Sequence, residues 1–255
     1  MARPINQLSF KARSLLFARL SAIAYSDLKE AKAAARKLEF NTIEFYDVNG
    51  AQAYRFMNKY DCIIACRGTQ PNEFNDIKAD LKSIPVMAET VSRVHKGFKS
   101  EVDELWPAIC EDLTRKQNNG KTLWFTGHSL GAGMATIMAS RCLHNLFLND
   151  PVELYTFGSP RVGFKKYCNS LGVIHHRFVN NNDVVTRVPL VMMGYRHHGT
   201  EHYMNSEGQI VKISGFKRFW DRLKGMAAGV MKLKIDNFSD HSMDCYIENI
   251  KNMKE

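Results

Sequence analysis

The chain has 255 residues, of which 45% are hydrophobic, 11% aromatic and 24% charged, and its formal net charge is +9. This composition excludes a disordered or low-complexity chain and supplies the apolar surface for one sizeable core. No run reaches the roughly 18 apolar residues of a membrane span, and the positive charge comes with no aromatic-interleaved RNA motif and no helix-turn-helix pattern, so nucleic acid is not an expected partner.

The opening segment "MARPINQLSFKARSLLFARLSAIAYSDLKEA" is interrupted by Lys11, Arg13 and Arg19. It therefore lacks a signal-peptide h-region, and a cytoplasmic or a processed secreted form is expected. Residues 9–38 read as two helices. "TIEFYD" (42–47) and "QAYRFM" (52–57) flank Asn49-Gly50, a strong hairpin signal. "DCIIACRG" (61–68) is nearly continuous in apolar residues, as a strand buried on both faces would be. Helical spacing of Phe98, Val102, Leu105, Ile109 and Leu113 predicts a helix over 96–116, which Asn118-Asn119-Gly120 breaks.

"KTLWFTGHS" is the next strand and "LGAGMATIMASRCLHNLF" the next helix. "VELYTFGSPRVG" (152–163) is a strand ending in a Gly/Pro-rich turn, and "GVIHHRFVNNNDVV" is a strand running into a polar loop. Strands alternating with helices predict an α/β fold, in one domain spanning 1–255, with a mostly parallel central sheet flanked by helices. The early hairpin adds antiparallel edge strands. Six cysteines, at 62, 66, 110, 142, 168 and 245, form no Cys-x-x-Cys pair. Most lie in apolar runs and read as buried free thiols in preference to a disulfide framework.

Chemistry concentrates at "FTGHSLGAG" (125–133). Ser129 stands between a β-run and a helix, the context of a nucleophile elbow. Gly127 and Gly131 remove side chains where strand and helix crowd together. The helix dipole favours negative charge developing beside the serine. The backbone N–H of Leu130, next after the nucleophile, is one expected oxyanion-hole donor.

With the segments "ACRGTQPNEFNDIKADL", "VHKGF", "FTGHSLGAG", "YTFGSPRVG", "VNNNDVVTRVP", "GYRHHGTE" and "DHSMDCYI", the sequence resembles the class 3 lipases, which include the filamentous-fungal triacylglycerol lipases. The segments occur in the family's order and run from about residue 40 to residue 250. The resemblance implies an α/β-hydrolase fold and a Ser, Asp, His triad in that chain order. It places the acid at Asp183 in "NNNDVV", past two further strand patterns, where a neighbouring strand ends. It places the base at His241 in "SDHSMDCYI", just before a terminal helical pattern. The family's second oxyanion donor falls on Thr69, and its lid falls on about 71–81. There Phe74, Ile77 and Leu81 take helical spacing, suited to a mobile cover or to a fixed surface helix.

The other histidines read as structural. Adjacent elbow side chains point apart, so His128 reads as packing. His95 reads as stabilising a loop, and His175 and His176 fall in a strand pattern. His197, His198 and His202, with Glu201, lack the helical pairing of a metal site. No metal or cofactor is expected.

A basic cluster at 216–234 carries six Lys or Arg against Asp221, beside a stripe of Phe216, Trp220, Leu223, Ala227 and Val230. It suits docking on an anionic membrane or lipid interface, and equally a packed helix with a solvated face. The expected function is a serine carboxylester hydrolase acting on lipid esters. A phospholipase A1, a small-ester esterase and a non-catalytic lipid-binding module are the alternatives. Substrate, chain-length preference and oligomeric state are not written in the sequence.

Overall fold

The computed structural model describes residues 3–68, 84–115, 118, 120–205, 207–211 and 239–253. Thr69, the lid positions Phe74, Ile77 and Leu81, and the basic cluster at 216–234 lie outside the described residues.

Local signals start the first elements. Ser9 accepts from the Ala12 N–H at the head of α1 (Phe10–Ile23), and Asp27 does the same for Glu30 at the head of α2 (Leu28–Lys37). Strands β1 (Thr42–Val48) and β2 (Ala51–Met57) pair antiparallel through the two-residue turn Asn49-Gly50, with φ of 52° and 88°. Both turn residues sit in the left-handed region that a type I′ hairpin requires. Every residue of β3 (Asp61–Cys66) is buried: Cys62–Cys66 form the apolar run, and Asp61 accepts from the Ile5 N–H and the Trp124 indole N–H.

After the short strands β4 (Pro85–Met87) and β5 (Arg93–His95) comes α3 (Lys96–Leu113), which buries Phe98, Val102, Leu105, Ile109 and Leu113. The strand β6 (Thr122–His128) leads into α4 (Leu130–Leu143), whose residues 131–142 are all buried. The remaining elements are β7 (Pro151–Phe157), β8 (Gly163–Phe164), α5 (Lys165–Ser170), β9 (Ile174–Asn180), β10 (Tyr195–Arg196), β11 (Thr200–Met204) and α6 (Met243–Lys251).

Among the described residues the main sheet has seven strands in the order β1-β2-β3-β6-β7-β9-β11. Strands β3, β6, β7, β9 and β11 run parallel, and β1 and β2 form the antiparallel edge. Helices α3 and α4 cover one face with a core including Phe98, Leu105, Met138 and Phe125. Helices α1, α2 and α6 cover the other, where Phe17 stacks on Tyr155 with centroids 4.3 Å apart. The fold is thus α/β with a mostly parallel central sheet between two helical layers.

A second, antiparallel sheet, β10-β8-β5-β4, did not declare itself in the sequence. Its strands have two or three residues each, too short for a period-two pattern to develop. All six cysteines are free; Cys62, Cys66, Cys142 and Cys168 are buried, and Cys110 and Cys245 half-buried. Burial pushes the Cys62 thiol up to about 12 and Cys168 to about 11, which suppresses their nucleophilic thiolate forms. Among the described residues no helix is long and apolar enough to cross a membrane.

Candidate active site

Parallel strands deliver their carboxyl ends to one edge of the sheet, and a crevice there is where α/β sites are built. Three such ends matter here: β6 stops at His128, β7 at Phe157 and β9 at Asn180.

Ser129 follows β6 and caps α4 with φ 59° and ψ −131°, a backbone conformation that L-residues adopt only under strain. Its N–H donates to the Phe157 carbonyl and its carbonyl accepts from Ala132, both at 3.0 Å, so the main chain is held from both sides. The two flanking glycines are required by space. A Cβ on Gly127 would stand 2.3 Å from the Gly131 carbonyl oxygen, and one on Gly131 would stand 2.3 Å from that of Cys66. The hydroxyl itself is buried and has no hydrogen-bond partner among the described residues. Leu130 is the first residue of α4, so its N–H has no intrahelical acceptor.

Asp183 lies beyond β9 and is fully buried. One carboxylate oxygen, Oδ1, accepts from the Val185 N–H at 2.9 Å. The other, Oδ2, accepts from His241 Nδ1 at 2.8 Å and from the Tyr246 hydroxyl at 2.6 Å. Burial, reinforced by the Asp183 charge, pushes the Tyr246 phenol well above its ordinary range. It therefore stays protonated and donates. With Nδ1 occupied by Asp183, the His241 ring is left to act through Nε2.

The three asparagines before Asp183 bind the acid loop to the base loop. Asn180 donates through its side-chain amide to the Asp240 carbonyl at 2.9 Å, and the Asn182 N–H donates to Asp240 Oδ2 at 3.1 Å. Gly158, just after β7, makes room for the pair. With φ at 59°, a Cβ there would come within 2.7 Å of His241 Cε1 and 2.8 Å of Asp183 Oδ2.

The structure thus gathers Ser129, Leu130, Asp183 and His241 at the ends of β6, β7 and β9. Gly68, the last described residue before Thr69, packs against the same elbow: a Cβ on it would lie 3.2 Å from that of Ser129. Sequence reasoning missed Tyr246, Asn180, Asn182 and Gly158. Each sat inside a quoted segment, and "YTFGSPRVG" and "VNNND" carried the signal without its meaning. His128 is more than packing: its ring is hydrogen-bonded on both nitrogens and lies 4.4 Å, centroid to centroid, from that of His241.

The remaining histidines serve the framework. His95 caps α3 by accepting from the Gly97 N–H at 3.1 Å. His197 reaches the Thr186 carbonyl, His198 reaches His175, and His202 reaches His176, so the three point at different partners. Among the described residues no group of three or more His, Cys, Asp or Glu is arranged to hold a metal ion.

Burial holds His95, His176 and His202 at about 4, and His128, His175 and His197 well below the ordinary range. The unfolded chain takes up these protons near pH 6.5 and the folded chain does not, so stability falls as pH drops below that value. The enclosed His128 and His175 should each cost on the order of 1 kcal/mol by about pH 5.5. We expect a melting temperature that is flat above pH 7 and declines steadily from about pH 6.5 toward pH 4.5. A melting temperature unchanged between pH 7 and pH 5 would contradict this.

The family model "Lipase (class 3)" matches residues 63–193, just over half of the chain. A lipase of Rhizomucor miehei is 31% identical over 172 residues, which cover 62% of this chain and 46% of that protein. The secreted mono- and diacylglycerol lipase 1 of Fusarium solani is 33% identical over 117 residues, covering 44% of this chain and 34% of that one. The chain therefore spans less than half the length of these curated relatives. The solved structure of the Rhizomucor miehei triacylglyceride lipase superposes with a TM-score of 0.67 at 25% identity, covering 77% of this chain and 81% of that one.

Proposed function

This chain belongs to the class 3 lipase family, and on that footing we propose that it is a serine carboxylester hydrolase acting on lipid esters, in the manner of a triacylglycerol lipase. One observation carries the reading: a buried Ser129 hydroxyl on a strained elbow, with no hydrogen-bond partner among the described residues, at the same sheet edge as a buried Asp183–His241 pair.

His241 Nε2 takes the proton of Ser129 Oγ as the oxygen attacks the ester carbonyl carbon. Asp183 orients the ring through Nδ1 and stabilises the imidazolium that forms. The oxyanion is met by the Leu130 N–H and by Thr69. Collapse expels the alcohol, which takes the proton from His241 and leaves an acyl-enzyme on Ser129. Water, deprotonated by His241, then releases the carboxylic acid. On this reading 1–255 forms one α/β-hydrolase domain; the family's lid segment, about 71–81, lies outside the described residues. Peripheral contact with an anionic lipid interface is supported by the sequence of 216–234 alone.

The test is covalent. A fluorophosphonate probe should label the protein once, on Ser129 as located by peptide mapping, because only an activated serine reacts. The labelled protein should lose hydrolysis of p-nitrophenyl esters, triacylglycerols and phospholipids together, and the ranking among those substrates in the unlabelled protein assigns the ester class. Absence of labelling, or labelling elsewhere with activity lost, overturns the reading.

A further inference from the structure

The hydrolytic mechanism uses neither Tyr25 nor His128, yet His128 adjoins the candidate nucleophile in sequence, contacts the candidate base and is hydrogen-bonded to Tyr25. His128 Nε2 lies 2.7 Å from the backbone carbonyl oxygen of His241. A carbonyl oxygen only accepts, so Nε2 carries a hydrogen and donates it. His128 Nδ1 lies 2.8 Å from the Tyr25 hydroxyl oxygen. Burial, assisted by the neighbouring His241, keeps His128 neutral, so its ring has a single hydrogen and Nδ1 must accept. Burial likewise keeps the Tyr25 proton in place. The chain then has one direction: Tyr25 O–H donates to His128 Nδ1, and His128 Nε2–H donates to the His241 carbonyl.

The partners come from distant parts of the molecule. Tyr25 follows α1, His128 ends β6 one residue before Ser129, and His241 closes the short turn Ser239–His241. Tyr25 also touches the end of β3: a Cβ on Gly68 would stand 2.5 Å from its hydroxyl, and the Arg67 guanidinium lies 5.9 Å from its ring centroid. The base loop is tied to the acid loop through Asp240. Those ties fix His241 relative to Asp183, and they leave its position relative to Ser129 to be set from the elbow side.

We propose that Tyr25 and His128 are positioning residues for the reaction: they form a hydrogen-bond relay that anchors the main chain of His241 to the nucleophile elbow, while Asp183 anchors its side chain. The proposal rests on the reading of Ser129 and His241 as nucleophile and base. A displacement of about 1 Å between reacting groups can cost about 100-fold in rate, so the relay acts on kcat. Substrate binding does not pass through it.

Three variants test it: Tyr25→Phe, His128→Phe and His128→Gln. On the soluble ester p-nitrophenyl butyrate, Tyr25→Phe and His128→Phe should lower kcat by about 10- to 100-fold with KM within about twofold of the native value. His128→Gln keeps an N–H at the reach of Nε2 and should recover a large part of the loss. Two spectroscopic readouts stand apart from activity. In the native protein, ¹⁵N spectra should show His128 as the neutral Nε2–H tautomer from about pH 5 to about pH 8. The downfield proton shared by His241 Nδ1 and Asp183 should broaden or move in both Phe variants. Native kcat in both Phe variants overturns the proposal, as does an Nδ1–H or doubly protonated His128, or a kcat loss that merely tracks a lowered melting temperature. If the native protein hydrolyses no ester, the functional reading fails, and the tautomer and the His241 proton decide the relay on their own.

Discussion

Ser129→Ala should abolish ester hydrolysis and leave the fold as stable as before. The hydroxyl is buried and has no hydrogen-bond partner among the described residues, so no bond to them is lost with it. The backbone strain at φ 59° is borne equally by alanine, which has the same Cβ. Removing a buried polar atom that lacks a partner is neutral or stabilising, and the melting temperature should stay level or rise. The rate behaves differently. Members of a nucleophile–base–acid set act as a unit, and losing the nucleophile costs on the order of 10⁶ in kcat. His241→Ala should be comparably inactive for the same reason. Measurement of p-nitrophenyl butyrate hydrolysis alongside thermal melts separates the two effects. More than about one per cent residual activity in Ser129→Ala would move the nucleophile elsewhere.

Gly158→Ala should be nearly as damaging while adding a single methyl group. The glycine has φ 59°, and its Cβ would press between His241 Cε1 at 2.7 Å and Asp183 Oδ2 at 2.8 Å. Contacts that short cannot be kept, so either the Asp183–His241 hydrogen bond opens or the end of β7 shifts. Disabling the carboxylate's control of the imidazole costs on the order of 10⁴ in kcat. The left-handed backbone adds about 1–2 kcal/mol of strain for a residue with a Cβ, which lowers the melting temperature by several degrees. Gly172→Ala is the control, since a Cβ there meets nothing within 4 Å. It should change neither rate nor stability. A Gly158→Ala protein with more than about a tenth of native kcat would mean that acid and base are not locked together as the geometry requires.

These two residues differ in how visible they were. The elbow was legible from its pattern, a Gly-x-Ser-x-Gly run between strand and helix: Gly127 is excluded by the Gly131 carbonyl within the same turn, although the carbonyl that excludes a side chain at Gly131 is that of Cys66 on β3. The hairpin at Asn49-Gly50 was legible for the same reason, as were the buried β3 and the amphipathic α3. Gly158 was quoted in "YTFGSPRVG" without a reason, because the atoms that exclude a side chain there belong to Asp183 and His241, far along the chain.

The sequence by itself therefore determined the alternation of strands and helices, the hairpin edge, and the elbow that presents Ser129. These are legible in propensity, turn chemistry and short-range pattern, even where, as at Gly131, the atoms that exclude a side chain come from another strand. Only the tertiary structure decided the company that Ser129 and His241 keep. Tyr25 and His128 are 103 residues apart, and His128 and the carbonyl of His241 are 113 apart. Tyr246 reaches Asp183 across 63. No periodicity encodes such meetings. They arise because parallel strands, joined by long crossover segments, deposit their carboxyl ends side by side at one edge of the sheet. Burial then removes water as the alternative partner, so Tyr25, His128, Asp183 and Tyr246 take their hydrogen bonds from the neighbours that the sheet has placed there.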